Sequence, residues 1–243
     1  MSSGRRRVAR TRHLVLLPAM LCDAELYRPQ AEALAGEANV ATLVIAEAGM
    51  AESAAAVLRQ APPQFVLAGT SYGGNLALEV ALTAPTRVVG LWLMGCNPGP
   101  HGDPEAGGRL SQRVEAGKFE SVVDELASTI VYAPGHSGSP ARAAFVRMAR
   151  RLGSAVFLNQ NASLLARHDR RDSLARIRCP TLLIWGREDE FVGSAHADLM
   201  ASRMPRASLT VLDQCGHLPT LEQPAAVTHA VRTWLHADVW AST

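Results

Sequence analysis

Short apolar runs return along this chain at intervals, and stretches of helical spacing separate them. We expect strands at six runs rich in valine, leucine and isoleucine, at residues 14–17, 40–45, 65–68, 88–94, 181–185 and 208–212. Most of them lack an apolar–polar alternation, which is typical of strands buried on both faces of a parallel sheet. Helical spacing predicts helices at residues 26–35, 53–59, 75–82, 195–204 and 225–235. This alternation predicts an α/β fold in which helices flank a mostly parallel sheet.

One long segment, residues 97–176, interrupts the alternation, because it contains no strand-like run. It opens on N-P-G-P-H-G-D-P at 97–104, a loop by composition, and helical patterns follow at 119–130, 141–152 and 154–167. An all-helical insertion between two strands predicts a cap over the ends of the sheet. We therefore divide the chain into a basic, disordered tail (1–12), an α/β core (13–96 and 177–243) and a helical cap (97–176).

The pentapeptide G-T-S-Y-G at residues 69–73 joins the third apolar run to the helical stretch behind it. A strand, Gly-x-Ser-x-Gly and a helix in this order form the context of a nucleophile elbow. The glycines let the strand and the helix approach closely, and the first amides of the helix face any negative charge that forms at Ser71. Because a serine hydroxyl is a weak nucleophile without a base, a histidine and a carboxylate are expected downstream.

Both groups occur later, each just past the end of a strand-like run. Asp189 follows the fifth run and His217 follows the sixth. The carboxyl ends of parallel strands share one edge of the sheet, which is where ligands bind in open α/β folds. The sequence thus predicts a catalytic triad of Ser71, His217 and an acid at Asp189, with its neighbours Glu188 and Glu190 as alternatives for the acid.

Taken together, these motifs resemble the α/β-hydrolase family over nearly the whole chain. The elbow, the strand and loop P-T-L-L-I-W-G-R-E-D at 180–189 and the ending G-H-L-P-T-L-E-Q-P at 216–224 match family patterns in order and in strand context. Within the family the chain looks most like small esterases, enol-lactonases and carbon–carbon bond hydrolases. The resemblance aligns Asp189 with the catalytic acid and implies the α/β-hydrolase fold, with the helical insertion in the position of the family's lid.

The resemblance also implies an oxyanion hole made of two backbone N–H groups. One belongs to Tyr72, directly after the serine. The other belongs to the loop after the first strand, which reads P-A-M-L-C-D at 18–23 where many relatives have His-Gly. By position the second donor is Met20, with Leu21 as the alternative.

The sequence therefore predicts a serine hydrolase that uses no cofactor and no metal and cleaves a small carboxylic ester or lactone through an acyl-enzyme. Two other functions stay open. The same three residues can hydrolyse a carbon–carbon bond in a ring-cleavage product, and proteins on this scaffold can act as small-molecule receptors with little turnover. The expected partner is a small-molecule substrate, and a homodimer is left open.

Charge and apolar patterning narrow the partners and the compartment. Five of the 24 basic residues lie in the first twelve positions; the other 19 face 22 acidic residues, and only 5% of residues are aromatic, so we expect no nucleic-acid binding. No apolar run reaches the roughly 18 residues of a membrane span. The run before Cys22 is short and ends in Leu21, which is not small, and this disfavours an export signal or lipoprotein site. The four cysteines are widely spaced and predict free thiols in the cytoplasm.

Overall fold

The structure, a computed structural model, describes residues 12–132 and 138–241. Apart from Arg12, the predicted tail lies outside the described residues. The Arg12 carbonyl accepts a hydrogen bond from the Asn39 N–H (2.8 Å), and its guanidinium lies 4.4 Å from the centre of the Trp240 ring. The first described residue is thus already packed against the body of the protein.

A single sheet of six parallel strands forms the centre of the described chain. The strands are β1 (His13–Leu17), β2 (Asn39–Thr42), β3 (Phe65–Thr70), β4 (Val88–Met94), β5 (Thr181–Gly186) and β6 (Ala207–Leu212). Their order across the sheet is β2-β1-β3-β4-β5-β6. The four inner strands are almost fully buried, whereas the edge strands β2 and β6 are partly exposed. The predicted α/β fold with a parallel sheet is confirmed, and burial on both faces holds for the inner strands only.

Helices pack on both faces of this sheet. Their bounds are α1 (Arg28–Leu34), α2 (Met50–Gln60), α3 (Tyr72–Thr83), α4 (Pro104–Glu115), α5 (Phe119–Thr129), α6 (Gly138–Leu165), α7 (Ala195–Arg203), α8 (Pro219–Glu222) and α9 (Pro224–Trp234). Successive residues of a strand point to opposite faces, so Leu14 and Leu16 enter one apolar cluster with α1 and α9, while Val15 and Leu17 enter a second with α2, α3 and α7. None of the described helices has the length and apolar character needed to cross a membrane.

The segment between β4 and β5 differs in two respects from the sequence prediction. The helices expected at 141–152 and 154–167 belong to one helical stretch, α6, which is interrupted at Gly153 (φ +81°). Helix α4 was not predicted, because the proline- and glycine-rich residues before it suggested a continuing loop. Its start is nonetheless encoded locally, since Pro104 occupies the first turn and the Asp103 side chain accepts a hydrogen bond from the Ala106 N–H (2.8 Å).

The parallel sheet brings four chain segments together at its carboxyl edge. Thr70 at the end of β3 pairs with Met94 at the end of β4, and Met94 pairs with Ile184 in β5. The turn after β3 carries Ser71, and the loops after β5 and β6 carry the predicted acid and histidine. The fold therefore collects the predicted site residues from distant parts of the sequence.

Candidate active site

Ser71 occupies a strained turn between β3 and α3. Its backbone angles are φ 54° and ψ −115°, a conformation that costs on the order of 1–3 kcal/mol for a residue with a side chain. Backbone hydrogen bonds hold it there: the Ser71 N–H donates to the Met94 carbonyl (2.8 Å), and the Ser71 carbonyl accepts from the N–H and the side-chain amide of Asn75 (2.9 and 3.2 Å). The hydroxyl takes no part in these bonds, so it is available for chemistry.

The two glycines of the pentapeptide are required by close packing around this turn. A Cβ atom on Gly69 would lie 2.2 Å from the Gly73 carbonyl oxygen, and one on Gly73 would lie 2.0 Å from the Leu17 carbonyl oxygen. Both oxygens belong to the backbone of packed elements and cannot move aside. The Gly-x-Ser-x-Gly pattern thus lets α3 start directly behind Ser71, with its N-terminal amides beside the serine.

His217 and Asp189 form a buried pair at the same edge of the sheet. His217 Nδ1 lies 2.8 Å from Asp189 Oδ2, and the two side chains are 3% and 1% exposed. The other carboxylate oxygen, Oδ1, accepts the N–H groups of Phe191 and Val192 (2.9 Å each). Because an ionised carboxylate only accepts hydrogen bonds, Nδ1 carries the proton, and Nε2 of a neutral imidazole is left as an acceptor.

The two glutamates that flank Asp189 are placed differently. Glu188 Oε2 accepts the N–H of Cys215 (2.9 Å), which ties the loop after β5 to the loop after β6, and Glu190 is exposed. Of the three acids considered from the sequence, Asp189 is the one that the structure brings to His217.

Ser71 and His217 line one cavity of about 460 Å³, together with Met20, Phe191 and residues of the segment between β4 and β5. No hydrogen bond joins these two described side chains. Such contacts between catalytic groups often become tight only when substrate binds. The structure thus brings the serine and the Asp–His pair to a common space without linking them directly.

A glycine that the sequence analysis did not single out makes room for the pair. Gly95 follows β4 with φ +52°, and a Cβ atom there would lie 2.8 Å from Cε1 and 2.9 Å from Nδ1 of His217, and 3.4 Å from Asp189 Oδ2. Both the backbone angle and the contact favour glycine. The backbone just after β4 therefore packs directly against the imidazole of His217.

The loop that carries His217 is anchored by a buried carboxylate. Glu222 in α8 is 4% exposed; its Oε2 accepts the N–H groups of Tyr132 and Gly216 (2.8 and 2.9 Å), and its Oε1 accepts that of Leu218 (3.0 Å). Three such bonds compensate the burial of the charge. This glutamate belongs to the motif G-H-L-P-T-L-E-Q-P, but its role was not predicted, since nothing local in the sequence distinguishes it from a glutamate on a helix surface.

The loop after β1 carries both predicted alternatives for the second oxyanion donor. The Leu21 N–H is already used, because it donates to Oε1 of Gln160 in α6 (3.0 Å), and Leu21 has a positive φ of 58°. Gln160 is 1% exposed, and its Nε2 donates to the Ile45 carbonyl (2.8 Å). Met20 lines the cavity beside Ser71. Of the two, Met20 is therefore the remaining candidate, and Gln160, a residue that sequence reasoning missed, fixes its loop.

The cysteines near the site are buried, unreactive thiols rather than ligands. Burial, followed by the charges of Glu222 and Asp189, raises the pKa of Cys215, and burial raises the pKa of Cys96 to about 12. A thiol with a raised pKa is a poor nucleophile. Among the described residues, no group of three or more histidine, cysteine or acidic side chains is placed to hold a metal ion.

The fold and the site together define an α/β protein with its site at the carboxyl edge of the sheet. The strand order is 2-1-3-4-5-6, the serine lies on the turn after the third strand, and the buried Asp–His pair lies beyond the fifth and sixth strands. The profile of the alpha/beta hydrolase family matches residues 9–230. The chain therefore belongs to this family, as the sequence motifs predicted.

Several known proteins are similar to this chain. A pimeloyl-[acyl-carrier protein] methyl ester esterase from Klebsiella pneumoniae is 29% identical over 178 residues, which cover 70% of this chain and 69% of that protein. The crystal structure of the enol-lactonase from Burkholderia xenovorans LB400 aligns with a TM-score of 0.85 at 18% identity, over 94% of this chain and 93% of that one. A thermophilic esterase from Thermogutta terrifontis aligns with a TM-score of 0.83 at 23% identity, over 93% and 89%. The two structural matches establish the shared fold.

Proposed function

We propose that this protein is a serine hydrolase that cleaves a small carboxylic ester or a lactone. The observation that carries the proposal is the buried His217–Asp189 pair (2.8 Å), whose histidine lines the same cavity as Ser71 on its strained turn. Family membership and the esterase and lactonase names among the similar proteins favour acyl transfer from oxygen.

In the first half of the reaction, Ser71 Oγ attacks the carbonyl carbon of the substrate. His217 Nε2 takes the hydroxyl proton, and Asp189 stabilises the imidazolium that results. The charge that develops on the carbonyl oxygen is held by the N–H groups of Met20 and Tyr72, and the N-terminal end of α3 adds to their effect. The tetrahedral intermediate collapses as His217 returns the proton to the leaving alcohol, which leaves an ester between the acyl group and Ser71.

In the second half, water replaces the alcohol. His217 Nε2 removes a proton from the water, whose oxygen attacks the acyl carbon, and the same oxyanion donors hold the second intermediate. Protonation of Ser71 Oγ by His217 then releases the carboxylic acid. Every proton moves through the ring nitrogen that the Asp189 contact leaves free.

The test is hydrolysis of p-nitrophenyl acetate, butyrate and octanoate, together with labelling by a fluorophosphonate, which reacts with activated serines. We expect turnover of all three esters, which a cavity of about 460 Å³ accommodates, and a single adduct on the peptide that contains Ser71. An adduct elsewhere, or neither turnover nor labelling, would contradict the proposal. Thermal stabilisation by a ligand without turnover would then favour a receptor.

Gln160→Met is expected to lower kcat by about 10- to 100-fold with little change in KM, because the loop that presents the Met20 N–H loses its tie to α6; complete loss of one oxyanion donor typically costs roughly 10²–10³ in kcat. The melting temperature also falls, since the Leu21 N–H and the Ile45 carbonyl lose their partner. Steady-state kinetics and thermal unfolding measure the two effects.

A matched control is Gln30→Met in α1, another buried amide, whose Nε2 donates to the Pro224 carbonyl (3.2 Å). It should lower the melting temperature and leave kcat unchanged. Equal kcat values for wild type and Gln160→Met would show that the loop keeps its geometry without this side chain.

A further inference from the structure

One wall of the cavity that Ser71 and His217 line carries a positive charge with no carboxylate partner among the described residues. Arg167, just beyond the end of α6, is the sole lysine or arginine among the described residues that line this cavity. Its guanidinium donates to three backbone carbonyls: Nε to Gly99 (2.9 Å), Nη1 to Leu164 (3.1 Å) and Nη2 to Pro100 (3.0 Å). No carboxylate of the described residues pairs with it.

The neighbouring arginine shows the contrast. Arg170 lies outside the cavity lining and makes two hydrogen bonds of 2.8 Å to the carboxylate of Glu79. Arg167 is half-buried, and burial lowers the pKa of its guanidinium, although it stays protonated at neutral pH. A cation that is partly removed from water is costly unless an anion or polar groups compensate it.

The guanidinium of Arg167 has donors to spare. It carries five N–H groups in a fixed planar fork, and three are used by the carbonyls of Gly99, Leu164 and Pro100. One N–H on Nη1 and one on Nη2 therefore remain. Two N–H groups on neighbouring nitrogens are the arrangement that binds the two oxygens of a carboxylate.

Of the other ionisable groups in the wall, His101 and His196 carry no positive charge at neutral pH, and Asp103 is bound at the start of α4. Burial, followed by the charge of Arg167, lowers the pKa values of His101 and His196, so both imidazoles are neutral at pH 7. Asp103 also lines the cavity, but its Oδ1 accepts the Ala106 N–H at the start of α4, where the helix dipole favours a negative charge. Asp189 lies behind His217 as that residue's partner.

We propose that Arg167 forms a carboxylate subsite, and that the preferred substrate is an ester or lactone with a free carboxylate remote from the carbonyl that Ser71 attacks. This inference rests on the proposed function, because it names the substrate class of the same cavity. A volume of about 460 Å³ accommodates a small monoester of a dicarboxylic acid.

A purely structural role for Arg167 is the competing explanation. Its three bonds tie the loop after β4 to the end of α6, so that any substitution loosens both. A loosened loop lowers activity towards neutral and anionic substrates alike. The ratio of kcat/KM for two substrates of equal chain length, one anionic and one neutral, is therefore the decisive quantity, since loss of the positive charge changes this ratio and a loosened loop does not.

The experiment compares matched pairs of esters. For a carboxylate on the acyl side, mono-p-nitrophenyl glutarate is compared with p-nitrophenyl valerate; for one on the alcohol side, 4-acetoxybutanoate is compared with butyl acetate. In at least one pair we expect wild type to prefer the anion by about 10- to 100-fold in kcat/KM. This ratio corresponds to the free energy of one hydrogen bond between charged groups. Arg167→Gln should lose that preference, and Arg167→Lys should retain part of it.

Arg87→Gln is the matched control. This arginine also donates only to backbone carbonyls, among them those of Leu58 and Ala61, but it lies away from the cavity. Its loss should leave both ratios unchanged.

The outcomes separate the subsite from the proposed function. Ratios in both pairs that are the same for wild type and Arg167→Gln would overturn the subsite, while hydrolysis of the neutral esters would uphold the function. If no ester is cleaved, the proposed function fails, and calorimetry with glutarate tests the subsite. The subsite requires that wild type binds glutarate and that Arg167→Gln binds it at least tenfold more weakly. Undetectable binding to wild type, or equal binding to both proteins, would overturn it.

Discussion

Ser71→Ala is expected to lower kcat for ester hydrolysis by a factor on the order of 10⁶, the usual loss when the nucleophile of a serine hydrolase is removed. The substitution takes away the one atom that forms the acyl-enzyme. The fold should persist, because the hydrogen bonds that hold this turn run through the Ser71 backbone, to Met94 and from Asn75. Steady-state and single-turnover assays with p-nitrophenyl butyrate measure the rate of hydrolysis. Thermal unfolding shows whether the variant is folded.

Ser53→Ala serves as the control for the loss of a hydroxyl close to the site. Ser53 is fully buried, and its hydroxyl lies 3.1 Å from the Tyr72 hydroxyl. This variant should keep kcat within about tenfold of wild type, because oxyanion stabilisation uses the Tyr72 N–H and not its side chain. Equal activity of wild type and Ser71→Ala would assign the hydrolysis to another group or to a contaminant.

The parts of this structure that sequence reasoning predicted are those whose signals are local. The strand at Val88–Met94 has the predicted bounds, since seven apolar residues in a row, six of them buried, strongly favour a strand inside a sheet. The elbow is equally local, because its two glycines and its serine lie within five residues. The edge strand β2 was predicted at 40–45 but ends at Thr42, because a strand with one neighbour is set by pairing as much as by its own side chains.

The parts that sequence reasoning missed depend on contacts between distant residues. Gln160 meets its two partners across 139 and 115 positions of the chain, and Glu222 reaches Tyr132 across 90. Nothing in the neighbourhood of a glutamine or glutamate in a helix reveals such a partner. Gly95 and Arg167 are likewise defined by what lies against them, an imidazole and a cavity. The sequence thus predicts the proposed reacting groups more readily than the residues that position them.

Asp189→Asn is expected to lower kcat by about 10⁴-fold, the loss typical of replacing a triad aspartate with asparagine. The Asp189 Oδ1 position accepts two N–H groups, from Phe191 and Val192, so the asparagine oxygen takes that position and its NH₂ group faces His217 Nδ1. An NH₂ group only donates, which forces Nδ1 to accept and moves the ring proton to Nε2. The histidine then presents a proton to Ser71 and cannot remove one.

If this mechanism holds, kcat falls when Asp189 is replaced and does not fall when a neighbouring acid is replaced. The Asp189→Asn substitution should also leave the overall structure in place. Glu190 is the next residue along the chain and is exposed, so Glu190→Gln removes a charge of the same sign from the surface. This variant should keep kcat within a few-fold of wild type, since exposed charges contribute little. Proton NMR should report the change directly, because the Nδ1 proton that Asp189 holds in wild type disappears in Asp189→Asn. Near-normal kcat in Asp189→Asn combined with a large loss in Glu188→Gln would move the role of the acid to Glu188. Glu188 already accepts the Cys215 N–H, and a glutamine oxygen can accept it too, so Glu188→Gln should change both rate and stability little.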